Sequence, residues 1–139
     1  CSDNHDARRA AMSDENVQQY RQLHTDVQEL LQTKQQFLQQ KTENDLVKKE
    51  LELGGDDAVV YKLIGPVLLR QEMDAVKENV DKRLEFIEGE ITKVDKQIGT
   101  KQEEQQKLAE VIRGQQDDLR AQAAAAARKV YDEQTGGGE

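Results

Sequence analysis

One feature constrains this chain above all others: apolar residues recur at alternating spacings of three and four. Leu84, Ile87, Ile91, Val94, Ile98, Leu108, Ile112 and Leu119 follow that pattern, and Lys101, Gln105 and Gln115 hold the same spacing with polar side chains. Such a stripe places one narrow seam on an α-helix, and the seam has to be buried against another helix. Upstream, Met73, Val76, Val80 and Leu84 step 3-4-4, a local 11-residue repeat that relaxes a left-handed supercoil. The spacing predicts a long helix over 71–128. Gly89, Gly99 and Gly114 fall off the seam, on the outer face. Each costs about 1 kcal/mol of helix propensity relative to Ala.

A first helix is predicted over 13–53. Val17, Tyr20, Leu23, Val27 and Leu30 are spaced helically, and Ser13 or Asp14 can cap the start. Lys34, Lys41 and Asn44 sit where the stripe expects core, and polar seam residues fix register at some cost in stability. At 1.5 Å per residue, such a helix makes a rod of about 60 Å. Residues 1–12 are polar and aperiodic and are expected to form a disordered leader. Residues 129–139, ending in Gly136-Gly137-Gly138, are expected to form a flexible tail.

Between the helices the period changes. Gly54-Gly55-Asp56-Asp57 reads as a helix stop and turn. Val59, Val60, Tyr61, Leu63 and Ile64 are β-branched, aromatic or aliphatic, as strands prefer. Gly65-Pro66 punctuates, and Val67, Leu68 and Leu69 follow. Segment 54–70 is therefore predicted to hold a turn and a β-hairpin.

Composition narrows the function classes. Leu, Ile, Val and Phe total 31 of 139 residues, there is no Trp, and aromatics are 4%. A conventional globular enzyme core cannot be built from so few large apolar residues. A net charge of −8 argues against a nucleic-acid partner or an anionic membrane. No apolar run approaches the roughly 20 residues of a membrane span. Cys1 is the only cysteine, so no intrachain disulfide can form. These points suggest a cytoplasmic location.

No site chemistry emerges. Gly54-Gly55 is followed by acids, not by the Lys-Ser/Thr of a phosphate cradle. His5 and His24 are isolated, and Glu103-Glu104 and Asp117-Asp118 lie on polar helix faces as solvating charges. The expectation is a non-enzyme with no catalytic residue, cofactor or metal.

Two amphipathic helices joined by a hairpin should fold back antiparallel. Matching the seams from the connection outward sets Leu51 against Met73, Val47 against Val76 and Val27 against Ile98, with Tyr20 near Gln105 and Val17 near Leu108. Two consequences follow. The hairpin is apolar on both faces, more than one helix pair can cover, so a sheet shared among several chains is expected. The second helix also outruns the first, leaving Val111, Ile112 and Leu119 without an apolar partner. With Val17, Tyr20 and Leu108 they form the candidate binding surface.

The order helix, hairpin, helix resembles the β-type subunits of prefoldin. The resemblance is carried by Thr42-Glu43-Asn44-Asp45-Leu46-Val47-Lys48-Lys49-Glu50-Leu51, by residues 60–72 from Val60-Tyr61-Lys62-Leu63-Ile64-Gly65-Pro66 to Glu72, and by Lys82-Arg83-Leu84-Glu85-Phe86-Ile87. It covers about residues 13–128. The resemblance implies a mainly α fold, a long antiparallel coiled-coil hairpin joined by one β-hairpin. It also implies a subunit of a hetero-hexameric, ATP-independent chaperone of α- and β-type chains. In that family the β-hairpins form a barrel body, and the coiled-coil tips hold unfolded actin and tubulin for the cytosolic group II chaperonin. The rival reading is a structural coiled-coil tether without client binding. A tether needs only heptads, and the apolar hairpin argues against it.

Overall fold

The computed structural model describes residues 2–55 and 58–136. The element order is α1 (Ser2–Leu53), β1 (Val60–Ile64), β2 (Val67–Gln71) and α2 (Met73–Gly136). The chain divides into two compact units. One is Gln28–Gly99; the other combines α1 through Val27 with α2 from Thr100 onward. Among the described residues no helix is long and apolar enough to cross a membrane.

Three expected boundaries move. Residues 2–12 are helical, not a disordered leader. The segment has no apolar stripe to mark it, but it holds Ala7, Ala10 and Ala11 and has neither Gly nor Pro. Once a helix is nucleated downstream, each such residue adds a hydrogen bond at little cost. At the other end α2 continues through Gly136, so most of the expected tail is helix, carried by the run Ala123–Ala127. β2 reaches Gln71, which pairs with Val60, and this delays the start of α2 to Met73. Cys1, Asp56 and Asp57 of the expected turn, and the last three residues, from Gly137, lie outside the described residues.

In the Gln28–Gly99 unit, α2 contributes buried Val80, Leu84, Ile87, Val94 and Ile98. α1 faces them with half-buried Leu30, Lys34, Phe37, Lys41, Asn44, Lys48 and Leu51, a strict three-four seam that includes the polar positions. The lysines keep their stems in the seam and send their ammonium groups outward to acids on α2. Lys34 Nζ lies 2.7 Å from Asp95, Lys41 Nζ 3.7 Å from Glu88 and Lys48 Nζ 2.9 Å from Asp81. The rungs are one heptad apart on both helices and run in opposite directions, so the helices are antiparallel. Exposed ion pairs add little net stability; here they select a register.

That register differs by about one helical turn from the one that sets Leu51 against Met73. The reason lies in the heptad. A slip of one turn exchanges the two kinds of seam position, and apolar matching accepts either alignment. The charges accept only one. Lys48 illustrates the coupling: a hydrogen bond to Asp81, and then that carboxylate's charge, hold its pKa above the usual 10.5. A raised folded-state pKa means the contact contributes fully below pH 10.5 and is lost as pH rises through the folded value. Alkali, not acid, deprotonates this rung.

Ile87 is 4% exposed at the centre of the seam. Ile87→Ala should cost about 2–5 kcal/mol, read as a lower urea midpoint or Tm of the purified chain.

Candidate assembly and client-binding surfaces

The hairpin is built by its turn. Gly65 has φ of 60°. Pro66 cannot follow with positive φ, so the two-residue loop has the type II′ pattern, with Gly first. Its twist matches that of the strands and fixes the register Ile64↔Val67, Leu63↔Leu68, Lys62↔Leu69, Tyr61↔Arg70 and Val60↔Gln71. At the α1 exit Gly55 is also left-handed, with φ of 73°, and the amide of Gly54 still donates to the Glu50 carbonyl at 3.1 Å.

Side chains alternate across the sheet, and directly paired residues share a face. One face carries Tyr61, Leu63, Leu68 and Arg70. The other carries Val60, Lys62, Ile64, Val67, Leu69 and Gln71. Leu63 is 67% exposed and Leu68 62%. Tyr61, Ile64, Val67 and Leu69 are exposed as well, as is Val59 just before β1, while Val60 is half-buried. The sheet has only two strands, so each keeps one unpaired backbone edge. Covering a fully exposed Leu or Ile contributes about 1.5–3 kcal/mol, and several are available here on two faces. Seven of the eight residues singled out for assembly thus fall on the hairpin, and Val59 immediately precedes it.

The second surface belongs to the unit formed by α1 through Val27 and α2 from Thr100. Among the described residues, Leu23 and Val27 are the ones α1 buries here. Lys101, Gln105 and Gln115 are half-buried and interrupt the opposing seam. Lys101 Nζ lies 3.8 Å from Asp26, and the Asn16 amide donates to Gln115 Oε1 at 3.3 Å. Beyond them Val17, Tyr20, Ala109, Ile112, Arg113 and Gln116 line an open groove.

Three of the six expected binding residues, Val17, Tyr20 and Ile112, therefore come together. The pairing is one turn beyond the expected one, which set Val17 near Leu108 and Tyr20 near Gln105. Ile112 is consequently not bare: it is half-buried and shares the groove with Val17. Leu108 is half-buried in the seam, while Val111 and Leu119 are exposed and do not line the groove. Ala109, Arg113 and Gln116 escaped the sequence reading because only the true register brings them beside Tyr20. Val130 and Tyr131, both exposed, escaped because they follow the last seam position.

Comparison with known proteins agrees with this architecture. The family described as "Prefoldin subunit" matches residues 14–119. Prefoldin subunit 6 of Homo sapiens is 41% identical over 114 residues, covering 79% of this chain and 86% of the relative. Prefoldin subunit 6 of Saccharomyces cerevisiae is 45% identical over 89 residues, covering 64% of this chain and 78% of the relative. The solved prefoldin beta subunit from Thermococcus strain KS-1 superposes with a TM-score of 0.70 at 23% identity, covering 74% of this chain and 90% of that one. Two long helices joined by one antiparallel hairpin are thus the prefoldin beta subunit fold. The extent and identity of these matches settle the family: the chain belongs to the prefoldin subunits.

Proposed function

We propose that this chain is one subunit of a hetero-hexameric, ATP-independent chaperone. It assembles with α- and β-type partner subunits through its hairpin. It holds non-native proteins such as actin and tubulin near the helix ends remote in sequence from the strands, and passes them to the cytosolic group II chaperonin. The observation that carries the reading is the hairpin: two strands, apolar on both faces and largely exposed, in a chain of the prefoldin family. An isolated two-stranded sheet is marginal in water, so neighbours that complete it are needed for a stable body.

Val17, Tyr20, Leu108, Val111, Ile112 and Leu119 are assigned to client contact. Apolar side chains beside a polar, interrupted seam suit a holdase, which must accept many unfolded sequences without shape complementarity. Each contact is weak, and several subunits acting on one client supply avidity. The net charge of −8 favours protein partners over nucleic acid or anionic membranes, and the proposed location is the cytoplasm. The test is suppression of aggregation of a denatured protein by the assembled complex. A complex that assembles yet gives no protection would leave a structural coiled-coil oligomer instead.

The same reading makes the chain a non-enzyme. Calorimetry with ATP should give no saturable heat and a phosphate-release assay no turnover, since no Gly-rich cradle precedes a Lys-Ser/Thr pair. Stoichiometric nucleotide binding would contradict it.

A further inference from the structure

The segment Lys82-Arg83-Leu84-Glu85-Phe86-Ile87 is not accounted for by assembly or client holding. Leu84 and Ile87 are buried in the seam, but Phe86 is 64% exposed, on a chain with only two Phe. It does not stand alone. Gln40, Asn44, Lys82, Arg83, Phe86 and Ile87 line an open groove within the Gln28–Gly99 unit. Ile87 is its apolar floor, and Gln40 and Asn44 supply amides from α1. The lining holds two cations and no carboxylate, on a chain of net charge −8. Lys82 is drawn to Glu78 at 3.2 Å, whereas Arg83 has no ion-pair partner among the described residues. The lysine ladder to Asp95, Glu88 and Asp81 takes none of these lining residues, so the groove keeps its own free cation.

We propose that this groove docks an acidic, apolar peptide segment of a partner protein. An apolar side chain of the segment would pack on Phe86 and Ile87, and its carboxylates would meet Arg83 and Lys82. Aromatic residues, Phe included, and arginine are the residue types enriched at protein interfaces. The guanidinium can grip a carboxylate through two parallel hydrogen bonds. The asymmetry of charge commits the groove to an acidic occupant: a basic segment would face both cations, the lining offers it no carboxylate, and Glu78 beside the groove is already held by Lys82.

The test uses the full chain assembled with its partner subunits and a fluorescein-labelled peptide of alternating leucine and glutamate pairs. Its glutamine and lysine counterparts serve as controls, and binding is read by anisotropy at low salt. The glutamate peptide should bind about tenfold or more tightly than the glutamine one. Phe86→Ala should remove about tenfold in affinity, and Arg83→Glu should shift preference toward the lysine peptide. Both residues are exposed, so circular dichroism and complex mass should not change. Equal binding by the parent and Phe86→Ala complexes, or no preference for glutamate, would overturn the proposal. Exclusion of Phe86→Ala from the complex would also overturn it and make the groove a contact between subunits. Neither result bears on whether the complex protects denatured clients.

Discussion

A chain carrying Leu63→Asp should keep its helices and lose its place in the complex. Leu63 pairs directly with Leu68 on one face of the hairpin, and both project from it largely exposed. In the free chain the aspartate costs little, since it meets water. In a sheet completed by neighbouring subunits it would be buried among apolar side chains without a partner, at a cost of several kcal/mol. A penalty of that size shifts an association constant by a factor of about a hundred or more. Val60→Asp tests the opposite face and should act in the same direction. Far-UV circular dichroism should match the parent, while size-exclusion or native mass measurement with the partner subunits should show the variant excluded. Normal incorporation of both variants would contradict a shared sheet.

The second large effect concerns the other end of the helices. Removing residues 109–139 takes away Val111, Ile112 and Leu119, and with Ala109, Arg113 and Gln116 it removes the α2 wall of the groove that holds Val17 and Tyr20. The hairpin and the lysine ladder are untouched, so assembly should proceed normally. Protection of a denatured client should fall several-fold when every subunit's helices are shortened in the corresponding way, because avidity multiplies the loss of each weak contact. Shortening this subunit alone should give a partial loss. Full protection of several clients by complexes shortened throughout would refute client binding at these ends.

Much of this architecture is legible in the residues, for a physical reason: heptad spacing and turn chemistry are local signals. The α2 stripe from Val80 to Ile98 supplies the buried core of its unit, and Gly65-Pro66 is the hairpin turn. Lys34 and Lys41 occupy seam positions on α1, as their spacing says. Register is different, because it depends on two helices at once and apolar periodicity is satisfied by a slip of one turn. The discriminating signal was present in the sequence: lysines at 34, 41 and 48 match acids at 95, 88 and 81 heptad for heptad. The helix ends were missed for another reason. Segments 2–12 and 129–136 are helical without an apolar stripe, and a search for periodicity has nothing to find there. The register alone changes the binding surface, since Ile112 gains Val17 as a neighbour only in the observed alignment.

Assembly through a shared sheet is tested most directly by the mass of what this chain forms. The purified chain should be mixed with α- and β-type prefoldin subunits and measured by native mass spectrometry. The expected result is a discrete assembly of six chains that includes this one and is lost with Leu63→Asp. A chain that stays monomeric in the mixture, or that associates equally well with the hairpin charged, would contradict it.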